Sequence, residues 1–322
     1  RCVRVATIAL NYVGGPTVDH NRAAIGELIA QAAAERPDII CLPETFVEQG
    51  VAYKDLADIA ETVPGPTTDC VAALARKHGC YIICPLTARH ADRYMNDAVL
   101  IDRQGQIVGA YSKIHPVVEG SAFTSLEKGI TPGEDAKVFE TDWGRLGIQI
   151  CFDINWPEPW AQLKAAGADI IFWCSAYDGG VHLNHHAWNQ HCYVVSAVKS
   201  THARIVNPMG ETLAMTGRND RVVARTLNLD VGLFHTDFNG SQVALIRARY
   251  GPDVTLRIYH QEAMFTLESN RPDLSVSQIV DEFALDPLED YIARNTRLQD
   301  AWREGRPAPD LAPPYLGRKQ WA

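Results

Sequence analysis

The chain has 322 residues, is 46% hydrophobic and 21% charged, and carries a net charge of −9. That charge argues against non-specific binding to nucleic acid or to an anionic membrane surface. No apolar stretch approaches the ~20 residues of a membrane-spanning helix. The composition is that of a globular enzyme, and the length supports a core that needs no disulfide staples.

The first apolar run, residues 4–10, reads as a strand. It is too short for a signal-peptide core and lacks a small-residue cleavage site, so the expectation is a cytoplasmic protein. Residues 19–35 have helical spacing, with Ala23, Ile25, Leu28, Ile29 and Ala32 near i, i+3, i+4 and i+7. Residues 38–43 (DIICLP) form a second apolar strand that ends at Glu44. Residues 67–78 are a helix closed by Gly79. Strands follow at 81–87, 96–102 and 107–112, the last two joined as a hairpin through 103–106.

The second half repeats the theme. Strands are predicted at 138–140 and 146–151, then a helix at 156–166 with Pro157 in its first turn. A buried strand at 168–174 (ADIIFWC) and a helix at 185–192 follow. Further strands are predicted at 194–198, 204–207, 212–215 and 222–230. Strands that are apolar without alternation have both faces covered. The expected fold is therefore an α-β, four-layer αββα sandwich of two mixed β-sheets with outer helices, spanning residues 1–230. ERPDIICLPE and AGADIIFWCSA are alike, which suggests a divergent repeat.

Residues 231–322 read as a C-terminal extension packing on the domain or on a neighbouring subunit. They hold one strand-like stretch at 254–267, an amphipathic helical region at 275–304 interrupted by Pro287, and a proline-rich extended tail at 305–322. No independent core is expected there.

Eight cysteines are present. Cys80 and Cys84 share a strand face but lie too far apart to bridge. No CxxC pair exists, so zinc and thioredoxin-type readings are disfavoured. Most of these thiols read as small buried hydrophobes. Cys151 differs, because an apolar strand delivers it directly into a turn-rich stretch, GIQICFDINWPEPW.

Three segments share that form. CLPE delivers Glu44, GAYSKIHP delivers Lys113 and GIQIC delivers Cys151, each at the end of an apolar strand. Ligand sites in α/β sheets lie beyond such carboxyl ends. In this order and these contexts the chain resembles the nitrilase superfamily of carbon–nitrogen hydrolases. The resemblance covers roughly residues 4–230. It includes the Pro132-Gly133 turn, the Trp143-Gly144 step and the NPMGE turn at 207–211.

The resemblance implies a Glu44–Lys113–Cys151 catalytic set with Glu127 as a supporting carboxylate; Glu119 is the rival for that place. It also implies a homodimer or larger assembly, which the long C-terminal segment suits. The chemistry follows from the residue types. A free cysteine is mostly protonated at neutral pH, so a neighbouring carboxylate must take its proton. Attack on an amide carbon makes an oxyanion, for which Lys113 and the Phe152 N–H are the expected donors. Glu44 would protonate the leaving nitrogen, and later activate the water that hydrolyses a thioester on Cys151. This needs no metal and no cofactor.

Rival constellations are weaker. His182, His185, His186 and His191 lack the acidic residue of an HExxH metal site, and are expected at the pocket mouth or an oligomer face. VGGP at 13–16 lacks the remainder of a phosphate loop, and no GxSxG is present. Phe152, Asp153, Trp173, Tyr177 and Tyr53 are the candidate pocket residues. Phe152 and Asp153 stand where nitrilases tend to have tryptophan and glutamate, which favours the amidase and carbamoylase branches. Ile154 and Asn155 occupy places where carbamoylases often carry arginines, leaving Arg204 or the histidines to hold a substrate carboxylate. The expected substrate is a linear amide, then a carbamoyl compound, then a nitrile. The competing class is a non-catalytic scaffold that keeps the fold.

Overall fold

A computed structural model describes residues 1–316. Strand β1 (Cys2–Ile8) leads to α1 (Val18–Ala34), whose N-cap Thr17 accepts the His20 N–H. Strand β2 (Ile39–Cys41) follows, then α2 (Pro66–His78), which ends on Gly79 in the left-handed conformation. Strands β3 (Tyr81–His90), β4 (Arg93–Ile101) and β5 (Ile107–Ser112) form a meander. The short pair β6 (Val118–Glu119) and β7 (Ser125–Leu126) lies in the connection to β8 (Val138–Glu140) and β9 (Arg145–Ile150). Then come α3 (Pro157–Ala165), β10 (Ile170–Ser175), α4 (Val181–Gln190) and β11 (Tyr193–Val198). Strands β12 (Arg204–Val206), β13 (Thr212–Met215) and β14 (Val222–Asn228) complete this part.

Two six-stranded sheets result, in the orders β14-β1-β2-β3-β4-β5 and β13-β12-β11-β10-β9-β8. Each is mixed. β1, β2 and β3 run parallel before the antiparallel meander. β9, β10 and β11 run parallel, flanked by antiparallel neighbours. Helices α1 and α2 lay Ile25, Ile29, Val71 and Ala75 on the first sheet. Helices α3 and α4 lay Trp160, Leu163, Leu183 and Ala187 on the second. The inner faces meet where the Thr7 hydroxyl donates to the Ser196 carbonyl (2.5 Å) and the Cys41 and Cys174 sulfurs lie 3.6 Å apart. The architecture is thus αββα, as the unbroken apolar strands require.

The chain divides into two compact units, one of Val3–Leu227 and the other of Arg1–Cys2 with the residues from Asn228 onward. The second unit contains β15 (Val231–His235), α5 (Thr236–Asn239), α6 (Val243–Tyr250), β16 (Val254–Tyr259), β17 (Met264–Ser269), α7 (Val276–Phe283) and α8 (Leu288–Arg303). Its strands form an antiparallel sheet in the order β15-β17-β16. Phe234, Ile246, Phe265, Leu267, Ile279 and Leu285 are buried together there. This corrects the expectation of no independent core. The single strand expected over 254–267 is a hairpin of β16 and β17, and β15, at the start of the extension, is a strand that the sequence reading does not place. A half-buried antiparallel sheet alternates apolar and polar residues, so no continuous apolar run announces it. Pro287 breaks the helical region as expected, ending up as the N-cap of α8. The last residues of the extended tail, 317–322, lie outside the described residues. Among the described residues no helix is long and apolar enough to cross a membrane.

Candidate active site

Three strand ends converge. Lys113 directly follows β5 and Cys151 directly follows β9, while Glu44 stands three residues beyond β2. All three are buried and line one cavity of about 280 Å³. Lys113 Nζ donates to Glu44 Oε1 (3.1 Å) and also to Glu127 Oε1, so one ammonium bridges two carboxylates. Asn96 Nδ2 donates to the same Glu44 oxygen (2.8 Å), and the Val117 N–H donates to Glu127 (2.9 Å). The Cys151 thiol shares this lining with Glu44 and Lys113 and feels the charge of both. Ala176 lines the cavity beside them, and the Ala176 backbone and the Ser175 side chain both favour the thiolate.

Cys151 has φ of 47°, Thr45 of 35° and Glu127 of 35°. With Lys128 at 58°, four non-glycine residues of one cavity are held in the left-handed region, which costs energy and persists only where surroundings enforce it. The surroundings at Cys151 are explicit. Trp173 Nε1 donates to the Cys151 carbonyl (2.9 Å), and Trp160 Nε1 donates to the Asp153 carbonyl (3.2 Å). A 3-10 turn, Cys151–Asn155, carries the chain from β9, and α3 starts only at Pro157.

Electrostatics fix the resting protonation. Burial raises Glu44, but Lys113, Lys199 and its hydrogen bonds outweigh that and hold it below the usual carboxylate value. Burial lowers Lys113, yet Glu44, Cys151 and Glu127 outweigh it and raise it. Burial and then the Glu44 charge push the Cys151 thiol up to about 12, against the pull of Lys113. The site therefore rests as thiol, carboxylate and ammonium. Glu44 is placed to receive the thiol proton as the sulfur attacks.

The other sequence candidates fall in different places. Tyr53 lines the cavity. Asp153 does not: it is fully buried beneath it. Its carboxylate accepts the Ile150 N–H (3.0 Å), the Tyr111 hydroxyl (2.7 Å) and the His115 N–H (2.8 Å), and contacts the His115 ring at 3.0 Å. It ties the turn that carries Cys151 to the strand end that carries Lys113. Trp173 is also fully buried, under the Cys151 turn, and Tyr177 stands edge-on to it at 5.4 Å, outside the lining. Phe152 packs edge-on to Trp156. Glu119 accepts the Lys128 N–H (2.8 Å) and leaves the Lys113 position to Glu127.

The histidine segment is not at the pocket mouth. His186 stacks on Trp160 at 4.0 Å, donates from Nε2 to the Ile154 carbonyl (2.7 Å), and is pushed down to about 4 by burial. Among the described residues no group of His, Cys, Asp and Glu side chains could hold a metal ion. Arg204 donates to the Gly180 carbonyl and to Asn184 (3.1 Å each), on α4 and its N-cap, and is outside the cavity.

Comparison with known proteins decides the family. Residues 4–232 match the carbon-nitrogen hydrolase family. The chain belongs to the carbon-nitrogen hydrolases of the nitrilase superfamily. It is similar to the omega-amidase NIT2 of Xenopus tropicalis, 24% identical over 69% of this chain and 87% of the relative. It is also similar to the deaminated glutathione amidase of Synechocystis, 27% identical over 69% of this chain and 91% of the relative. Among solved structures it resembles Nit3 of Saccharomyces cerevisiae, with TM-score 0.62, 19% identity and coverage of 77% and 97%. An amidase from Nesterenkonia sp. gives TM-score 0.61, 19% identity and coverage of 70% and 90%.

Lys199 and Glu48 are among the lining residues of this carbon-nitrogen hydrolase that escaped sequence reasoning, as did Asn96 and Ala176. Lys199 lines the cavity and donates to the Thr45 hydroxyl (2.8 Å). Its signal was present: like Lys113 and Cys151 it directly follows an apolar strand, β11. Glu48 lines the same cavity from a 3-10 turn, accepting from Thr87 (2.5 Å) and Tyr53 (3.2 Å). Nothing local to Glu48 distinguishes it from a surface glutamate.

Proposed function

We propose that this chain hydrolyses a small linear amide through a thioester on Cys151. The observation that carries this reading is the bridging of Glu44 and Glu127 by Lys113 in the cavity that Cys151 also lines. The Cys151 sulfur attacks the amide carbon while Glu44 takes the thiol proton. Lys113 and the Ala176 N–H, which share the lining with Cys151, receive the oxyanion; one well-aimed donor is worth roughly 3 kcal/mol. Glu44 returns the proton to the leaving nitrogen, and ammonia departs with formation of the thioester. Glu44 then takes a proton from water, the hydroxide attacks the thioester carbon, and the carboxylic acid leaves as Cys151 regains its proton. Glu127 accepts from Lys113 and keeps the ammonium in place.

The names of the relatives support an amide over a nitrile. The small cavity supports a short substrate. The reading includes self-association, for which light scattering should give a mass of at least two chains.

Ammonia release across primary amides, N-carbamoyl compounds and nitriles tests the activity. Primary amides should turn over, and Cys151→Ala should lower the rate by about 10⁴-fold or more, as removal of a nucleophile does. Turnover that survives Cys151→Ala would refute the mechanism and leave the scaffold reading.

A further inference from the structure

The cavity holds more charge than the hydrolysis needs. Glu44, Lys113 and Glu127 are interlocked with one another beside Cys151. Four further charged side chains share the lining: Lys128 is exposed with its Nζ 3.9 Å over the Tyr53 ring, Glu119 accepts the Lys128 N–H, and the other two are Lys199 and Glu48. Lys199 Nζ donates to a neutral hydroxyl, that of Thr45. Glu48 accepts from two neutral hydroxyls, those of Thr87 and Tyr53. Among the described residues neither makes an ion pair within 4 Å, whereas Lys113 makes two.

Partly buried charges without direct counter-charges are costly, and they recur where a ligand completes the pairing. The hydroxyls orient both groups without neutralising them. Burial pushes Glu48 up, and the through-space charge of Lys199 offsets this only in part. Lys199 acts on both Glu44 and Glu48 from a distance, so the cation and the anion share one cavity without closing on each other.

A fixed ammonium and a fixed carboxylate in one small cavity are complementary to a ligand that carries both signs. We propose that the amide hydrolysed here carries an α-amino carboxylate at its far end, with its carboxylate on Lys199 and its ammonium on Glu48. This rests on the reading of Cys151 as an amide-cleaving nucleophile and adds the substrate class to it. A lysine is a point charge rather than a bidentate fork, so it suits one carboxylate oxygen and leaves the other to a hydroxyl such as that of Thr45. The cavity of about 280 Å³ has room for a short side-chain amide of an amino acid and little more.

Four amides of similar length separate the contributions: L-glutamine, its deaminated carboxylate analogue 4-carbamoylbutanoate, its decarboxylated analogue 4-aminobutanamide, and neutral pentanamide. The unmodified enzyme should prefer glutamine over each singly charged analogue by about 10–100-fold in kcat/KM, the size of one charge-assisted hydrogen bond. Lys199→Met should erase the advantage of amides bearing a carboxylate, and Glu48→Gln that of amides bearing an ammonium. The ratio between substrates within each variant is the readout, because it cancels any effect of Lys199 on Glu44. Titration of the four amides into Cys151→Ala, with and without each second substitution, reads the same preferences without chemistry. A preference for 4-carbamoylbutanoate or pentanamide, or ratios unmoved by both substitutions, would overturn the proposal. If neutral amides turn over in a Cys151-dependent way while the ratios stay fixed, only this subsite fails. If no amide is cleaved but binding follows the expected ranking, the subsite stands and the hydrolase reading fails.

Discussion

At the scale of residues, the resting protonation of the site is open to test. A thiolate mechanism would gain rate as an ordinary cysteine ionises near pH ~8.5. Here burial and the Glu44 charge push Cys151 up to about 12, so ionisation of the thiol adds little in that range. The group that must be charged is Glu44, held below its ordinary value of 4.5 chiefly by Lys113 against the effect of burial. The sign follows. Below its folded pKa Glu44 is protonated and cannot accept the thiol proton, so the rate falls only as pH drops beneath the usual carboxylate range. The expected profile of kcat/KM is flat from about pH 6 to about pH 9, and a rise centred near 8.5 would show that thiolate is the reactive form. Glu44→Gln gives a second reading of the same point. It removes the charge that raises Cys151, so alkylation of the thiol should move to lower pH while ammonia release is lost. Asp153 shows how far a residue's role depends on distant partners. Its four polar contacts include groups on Tyr111 and His115, roughly forty positions away, and those turn an expected pocket residue into a buried tie.

At the scale of elements, catalysis depends on the ends of strands, and those ends depend on tight turns. The Pro132-Gly133 turn seals the end of β5: the Gly133 N–H donates to the Lys113 carbonyl (2.8 Å), and a Cβ on Gly133 would fall 2.2 Å from the Ser112 carbonyl oxygen. That atom is backbone and cannot swing aside. Gly133→Ala should therefore push the Ser112–Lys113 end away from Glu44 and Cys151. A displacement near 1 Å costs on the order of 100-fold in rate, and overpacking of this kind costs about 1–3 kcal/mol in stability. Steady-state kinetics beside urea denaturation check both, and a folded Gly133→Ala enzyme with full kcat would show that the turn does not set Lys113. The same element logic explains what was legible in advance. Glu44, Lys113 and Cys151 could be found because each stands at or just beyond the end of a strand, and the αββα layers because strands such as β2, β9 and β10 are buried on both faces. Lys199 carried the same mark at the end of β11. Glu48 carried none, since a 3-10 turn has no periodicity to place it. Cavity neighbours such as Asn96 sit inside a strand and are chosen by pairing across the sheet, which a single sequence does not display.

At the scale of the whole molecule, the chain builds more than one core. The cores against the two sheets of the sandwich centre on residues such as Ile29, Ile40 and Ile82, and on Trp160, Ile171 and Val194. The core of the unit from Asn228 onward is built around Phe234, which stacks on Phe265 with ring centroids 5.0 Å apart and is fully buried. Phe234 and Phe265 face each other directly in the register of β15 and β17. Truncating such a side chain removes its transfer energy and leaves a cavity, for a cost of about 3–5 kcal/mol. Whether that cost is felt locally or throughout depends on whether the two compact units unfold together. With separate cores, Phe234→Ala should speed amide hydrogen exchange in β15, β16 and β17 by a large factor. The amides of β9, β10 and β11, whose side chains pack into a different core, should keep most of their protection. Exchange measured strand by strand, with Trp160→Ala as the reciprocal substitution, decides the matter. Equal loss of protection in both units from either substitution would mean one cooperative unit, and the separate apolar clusters would then have no separate stability.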